Sequence, residues 1–486
     1  MRSSTCNGVR ALRPLAVVWM FSWAVASGLP GWAQPSYQPI GARNLTQVQN
    51  LANAYGLPAF LFTPLSGVQA YRMTYTMPFL GEEIVVSGAV FEPTDLASDC
   101  ALPVHVYMHG TVFERDDVPS FLNGEGQLGF LMASLGFTVL MPDYVGLGVD
   151  DQHLHPYVHA QSEADAGVYM LHALHAEPEA NPSGNLHDVG QLFLSGYSQG
   201  GHAAMALHRE LQAGWPQYPV TASAPQSGPY DISGTQFPMT FDAESYSNPA
   251  YLAYVALAWQ SVYGNLYGAL TDYFQEPYAS QIPGLFDGQT SGNAINNALP
   301  ALTSDLAQPG LLDALLAPGS PFLAAAQDND VYAWTPTSPT QLYYCTEDEQ
   351  VFYPNAEVAH GYMTAAGAPA VSLIDLGAFD HGDCAGQAIF GATLWFTQLA
   401  EVCLPAGVAE RPSGTWSLVP NPARERVQLV PAGGAASTAQ PRWSLWTSTG
   451  HCAAEGVGHE ISLATLAPGL YLVQLSTGTP LRLIVP

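Results

Sequence analysis

Ser198 lies inside Gly196-Tyr197-Ser198-Gln199-Gly200, the spacing that puts a serine nucleophile on a sharp strand-to-helix turn. The apolar run from Gln191 to Ser195 reads as a buried strand, and Gly201 to Leu211 reads as an alanine- and leucine-rich helix. Such a turn strains the backbone of its central residue, so its neighbours two before and two after must be small. Both are glycine here. The amino end of the following helix then directs partial positive charge at the hydroxyl.

A serine nucleophile needs a base, a group that orients the base, and donors for the oxyanion. His381, within Phe379-Asp380-His381-Gly382-Asp383-Cys384 and ahead of a helix read over Gly386 to Leu399, is the candidate base. Asp348 follows the strand ending Tyr343-Tyr344-Cys345 and is the candidate acid, with Glu347 and Glu349 close enough to be mistaken for it. The backbone N–H groups of Gln199 and of Thr111, after His109-Gly110, are the candidate oxyanion donors, with Val112 as the alternative to Thr111. In this arrangement His381 takes the proton of Ser198 as it attacks an acyl carbonyl, while Asp348 fixes the imidazole tautomer. The bland readings are solvated loop carboxylates, a surface histidine and a plain turn after a strand.

His153, His155 and His159 have ligand-like spacing, but Pro156 breaks any shared helix face and no thiolate is near. They are expected to pack beneath the site, under Asp143 to Gly148. His202 is expected to be a packed helix histidine. No metal and no cofactor is expected.

The elements that must position these residues alternate strand and helix. Tyr71 to Thr76 and Ile84 to Phe91 form a hairpin turning near Gly81, after a poorly patterned lead segment. Val104 to Met108, Phe137 to Met141, Gln191 to Ser195, Val220 to Ala224, Gln341 to Cys345 and Val371 to Leu376 read as strands, with helices such as Ser162 to His175 between them. This is an α/β chain with a doubly wound, mostly parallel sheet. Ligands of such sheets bind beyond the carboxyl ends of the strands, where every candidate residue falls. An insertion between Gln226 and Pro339, rich in aromatics from Tyr246 to Tyr278, is expected to roof the site as a helical lid, its aromatics also serving as its own core.

The 486 residues allow about two or three domains. Arg2, Arg10 and Arg13 precede an apolar stretch from Leu15 to Ala26, and Gly31-Trp32-Ala33 offers small residues for cleavage, so residues 1–33 read as a signal peptide and the protein as secreted. No other stretch approaches the length of a membrane span, and the mature chain is expected to be soluble. Forty acidic residues stand against 12 basic ones, all of them arginine, for a net charge of −28. That balance argues against nucleic acid or an anionic membrane as partner. In an oxidising compartment Cys100, Cys345, Cys384, Cys403 and Cys452 are expected to form two disulfides and leave one thiol. If Asp348 and His381 meet, Cys345 and Cys384 come within bridging range; the alternative is Cys384 with Cys403.

From Arg411 the texture changes to short strands, Trp416 to Val419, Arg426 to Val430, Trp443 to Trp446, Leu470 to Leu475 and Leu481 to Val485, which suggest a small β-sandwich after a linker at Pro405 to Ser413. The segments Val419 to Ala423, Ser448-Thr449-Gly450 and Leu466 to Tyr471 resemble the C-terminal sorting domain of type IX secretion substrates in Bacteroidota, although the usual terminal basic residue is missing and Arg482 is the nearest. That resemblance implies a secretion machinery as partner. An adhesive or carbohydrate-binding module is the alternative on architecture alone.

Across residues 60 to 403, Tyr107 to Thr111, Pro142 to Gly148, His155 to His159 and Gly196 to Gly201 occur in the order seen in microbial secretory lipases with a helical lid, which this chain resembles. The resemblance implies an α/β-hydrolase domain over residues 34–404, with a lid at about 227–339, acting on acyl esters or lipids; the sorting domain spans 411–486. The order serine, aspartate, histidine is the one this fold uses. A secreted serine peptidase of the same fold is the rival enzyme, with Asp242, Glu244 or Asp272 as a possible anchor for a peptide end. A non-catalytic surface binding protein is the third reading.

Overall fold

The computed structural model describes residues 34–57, 62–94, 101–176, 187–242, 246–402, 416–419, 425–431, 440–447, 452–466, 469–475 and 481–485. The expected leader, the linker, Cys100, Cys403, Glu244 and most of the tail's motif residues lie outside them.

Nine strands form one sheet: β1 (Ser36–Arg43), β2 (Val68–Phe79), β3 (Glu82–Pro93), β4 (Ala101–Met108), β5 (Thr138–Pro142), β6 (His187–Tyr197), β7 (Val220–Gln226), β8 (Thr340–Tyr344) and β9 (Val371–Asp375). Their order is β1-β2-β3-β5-β4-β6-β7-β8-β9. Pairing is antiparallel from β1 through to the β3–β5 contact and parallel from there to β9. This is the α/β-hydrolase fold expected from the alternation of strand and helix. β2 and β3 meet through Leu80 and Gly81, both at positive φ, as a two-residue hairpin with the sheet's twist requires.

The poorly patterned lead segment is itself a strand. β1 pairs antiparallel with β2 and bulges between Pro39 and Gly41. It shows no apolar alternation because it lies at the sheet's edge, half exposed along its length, where backbone pairing rather than burial holds it.

Helices cover both faces. Val48, Phe130 and Phe396, from helices Leu45–Ala54, Gly126–Ala133 and His381–Leu399, pack with Phe137 and Phe193 on one side. Leu171 and Leu207, from helices Ala160–Ala176 and Gln199–Gly214, pack with Leu140 and Leu194 on the other. Parallel strands buried on both faces read as continuous apolar runs, which is why they were visible in the sequence.

Between β7 and β8 the described chain is helical from Phe237–Asp242 and Ala250–Tyr263 through to Pro321–Asp328. Trp259, Tyr254 and Phe322 are buried in a core of its own, so the aromatic residues serve as packing as well as lining. Among the described residues, no helix is long and apolar enough to cross a membrane.

The tail forms two small antiparallel sheets, of three and four strands, around Leu429, Leu445, Val473 and Leu483. The five strands read from the sequence are present. Cys452–Val457 and Glu460–Ser462 are additional; the first has no alternation of apolar and polar residue types and the second is three residues long.

Candidate active site

β6 ends at Tyr197 and the next helix begins at Gln199, leaving Ser198 alone in the turn at φ 62° and ψ −124°. A side chain at positive φ costs roughly 1–2 kcal/mol. The surroundings impose it: the Ser198 N–H donates to Gln226 O at 3.0 Å. The glycines are dictated by contact. A Cβ on Gly196 would lie 2.2 Å from Gly200 O, one on Gly200 2.0 Å from Met108 O, and one on Gly201 2.2 Å from Gln226 O.

Ser198, Asp348 and His381, distant in sequence, converge here. His381 Nε2 is 2.9 Å from Ser198 Oγ, and its Nδ1 is 2.7 Å from Asp348 Oδ2 and 2.9 Å from Oδ1. With the carboxylate accepting from Nδ1–H, Nε2 is left to accept the serine proton. Asp348 is itself held by the N–H groups of Gln350 (3.1 Å) and Val351 (2.9 Å). Glu347 and Glu349 are exposed, and Glu349 instead takes the backbone N–H of His381 at 3.1 Å. Tyr197, at the end of the strand that leads to Ser198, donates to the carbonyl of His381.

The helix read as starting at Gly386 starts at His381. Asp380 caps it, accepting from Asp383 N at 2.8 Å. This cap was legible as an aspartate ahead of a helix, but Gly382 and Gly386 weakened the helical signal.

Thr111 and Gln199 flank this group. The N–H of Gly110 is tied to Glu125 Oε1 at 3.2 Å, whereas among the described residues those of Thr111 and Gln199 donate to no protein acceptor. The Thr111 hydroxyl bonds Tyr157 OH at 3.0 Å, which fixes the loop. Val112 packs into the apolar core.

Behind the turn lies a buried polar network absent from the sequence reading. Gln199 Nε2 donates to Glu163 Oε1 and to His155 Nε2, both at 2.8 Å. Glu163 Oε2 lies 2.7 Å from His202 Nδ1, and His202 Nε2 lies 2.8 Å from Asn329 O. Both ring nitrogens of His202 face oxygen acceptors, which holds the ring in place behind the turn. His202 is thus the packed helix histidine expected. Nothing in the sequence marks Glu163 or Asn329, because their burial is set by tertiary contact.

The other three histidines do not converge. His153 bonds Asp150, His155 bonds Val145 O and stacks on Tyr144, and His159 bonds Ser162. Burial pushes His155 down to about 3 and His109 to about 4, so both are neutral near pH 7.

Over Ser198 the helical insertion forms a partly open cavity walled by Tyr157, Phe237, Tyr246, Tyr251, Val255 and Trp259, with about 540 Å³ of empty space when the solvent at its mouth is included. Among the described residues no charged side chain lines it. Tyr246 OH and Gln236 Nε2 both donate to the carbonyl of Gln350, at 3.1 and 2.8 Å, tying the roof to the loop that carries Asp348. Asp242 and Asp272 do not line the cavity; Asp272 accepts from the N–H groups of Gly268 and Ala269.

No protein-family profile matches the chain, and no curated protein does. Solved structures do. A candidate hydrolase from Legionella pneumophila is 25% identical, with 77% of this chain and 99% of that one covered at a TM-score of 0.67. A ligand-bound form of the rice cell wall degrading esterase LipA from Xanthomonas oryzae is 27% identical, covering 74% of this chain and 95% of its own at 0.64. The closed state of Candida antarctica lipase A, at 15% identity, 77% and 85% coverage and 0.51, shares the fold.

Proposed function

We propose that the chain is a secreted carboxylic ester hydrolase of the lipase and esterase kind, working through Ser198, His381 and Asp348. The observation that carries this reading is the continuous hydrogen-bonded line from a strained serine through His381 to Asp348. That the similar solved structures include an esterase and a lipase agrees with it.

Ser198 Oγ attacks the acyl carbonyl carbon as His381 Nε2 takes its proton. The carbonyl oxygen becomes an oxyanion, which the N–H groups of Gln199 and Thr111 stabilise. Collapse expels the alkoxide, His381 returns the proton to it, and the alcohol leaves an acyl-serine. Water, deprotonated by His381, then attacks the acyl-serine and releases the acid. Asp348 stays ionised throughout and stabilises the imidazolium. No metal or cofactor enters these steps.

The uncharged walls of the cavity favour an apolar acyl group. Among the described residues they give a peptide terminus no ionic anchor, since neither Asp242 nor Asp272 lies there. The reading of residues 1–33 as leader and of the tail as a sorting module completes the proposal of export.

The test is the purified protein against p-nitrophenyl esters of graded chain length beside aminoacyl nitroanilides. Ester turnover that depends on Ser198 is expected; preferential nitroanilide cleavage points to the peptidase instead.

A further inference from the structure

A second cavity lies beside the first and shares no lining residue with it. It is partly open, with about 530 Å³ of empty space when the solvent at its mouth is included. Between the two stands a wall of stacked rings: Tyr157 lies on Tyr254 at 4.6 Å between centroids, and Tyr254 on Phe113 at 5.2 Å. Phe113, Tyr254 and Phe286 form apolar sides of the second cavity, and Arg115 is its one arginine.

Arg115 is unlike the other arginines of the hydrolase fold. Arg43 donates to Gln127 and lies over Phe130, Arg72 donates to Ser120 O and lies over Phe121, and Arg209 donates to Asp330 O. Among the described residues the guanidinium of Arg115 has no ion pair or hydrogen bond to the protein, and its Nε is buried. A guanidinium with no protein acceptor leaves its donors to be matched by an incoming one.

The backbone around it is fixed. Arg115 N donates to Gly288 O at 2.8 Å, and its carbonyl accepts from Gly148 N at 3.0 Å. A Cβ on Gly288 would come within 3.1 Å of Arg115 Nη2, so glycine there leaves the guanidinium its room. His153 also lines the cavity but is turned to Asp150. The exposed Asp287 stands at the rim and forms no ion pair with Arg115.

We propose that this cavity is a binding site for an organic carboxylate with an apolar body, its carboxylate on Arg115 and its body between Phe113, Tyr254 and Phe286. A planar guanidinium matches a carboxylate through two parallel N–H bonds, and aromatic walls suit a flat or aliphatic body. Because Ser198 takes no part, the site stands whether or not the serine is a nucleophile.

The probe is benzoate, titrated calorimetrically into the full-length protein, with benzamide and inorganic phosphate as comparisons. Benzoate is expected to bind, benzamide at least tenfold more weakly, and phosphate more weakly than benzoate. Arg115→Gln is expected to weaken benzoate about tenfold, while hydrolysis of a neutral p-nitrophenyl ester continues. Should Arg115→Gln fold poorly, Asp287→Asn serves instead: removing the rim charge is expected to tighten benzoate binding about twofold. Benzoate that does not bind, that binds Arg115→Gln equally well, or that responds to neither substitution overturns the site. Phosphate binding as tightly as benzoate overturns the assignment to an organic carboxylate.

Discussion

Cys345 and Cys384 are joined by a disulfide, which links the chain three residues before Asp348 to the chain three residues after His381. Both cysteines are fully buried. The bond ties the loop that carries Asp348 to the helix that begins at His381 and pairs Cys384 with Cys345 rather than Cys403.

Reduction is therefore expected to act on stability and on the site together. The bridge spans a separation of 39 residues, which in the chain-entropy account stabilises by about 4 kcal/mol. Cys345→Ser with Cys384→Ser is expected to lower the unfolding free energy by that order, and the denaturant midpoint with it, and to reduce ester turnover. An unchanged midpoint, or a peptide map of the unreduced protein lacking the linked pair, contradicts this.

Ser198→Ala is expected to abolish ester hydrolysis and labelling by a fluorophosphonate while leaving the circular dichroism unchanged. Gly200→Ala is expected to do the opposite kind of damage, since its methyl would lie 2.0 Å from Met108 O. A loss of about 3 kcal/mol or more of stability is expected, at the upper end for overpacking. Labelling that persists in Ser198→Ala removes the nucleophile assignment.

Asp348→Asn is expected to lower turnover by about 10⁴, the effect of losing a triad carboxylate. Glu349 accepts from the backbone N–H of His381 and from Gln350 Nε2, and Glu349→Gln is expected to cost less than tenfold. If the two results exchange places, Glu349 is the acid.

Stability is expected to fall as the solution is acidified below neutrality. Burial holds the imidazoles of His105 and His155 down to about 3 and those of His109 and His159 down to about 4, against about 6.5 in the unfolded chain. Below about pH 6.5 the unfolded chain therefore binds protons that the folded chain refuses, and the stability present above that pH drains away. Glu125 and Asp143, raised by burial, act in the other sense: what they contribute at low pH is lost as pH rises through their folded pKa. Burial also lowers His172 and His208 and raises Asp165 and Asp330; six imidazoles outweigh four carboxyls, so the melting temperature should drop between pH 7 and pH 5. A flat profile counts against neutral buried histidines.

The tail packs around its own core, so a chain ending at Ala406 is expected to retain full specific activity on soluble esters. A large loss would mean that the tail helps to build the site.

What could be read from the sequence was what short-range pattern encodes. The elbow was visible because contact forces glycine at 196, 200 and 201, and the central strands because burial on both faces forces apolar runs. Asp348 could be ranked above its acidic neighbours by its place after β8, but only the hydrogen bond to His381 separates it from Glu349. Glu163, Asn329 and Arg115 carried no signal, since a lone polar residue in a helix or loop looks the same whether it is solvated or enclosed. β1 was missed for the reverse reason: an edge strand need not alternate.

β7 and β8 pair directly, in the register Ser223 with Thr340 and Gln226 with Tyr343, although the whole helical insertion runs between them. The insertion therefore leaves and re-enters the sheet at neighbouring points. To the scaffold it is a side loop, and to the substrate it is most of the surface encountered. Selection can lengthen, shorten or replace it wholesale while the serine, acid and base keep their spacing, so substrate preference can drift much faster than the chemistry beneath it.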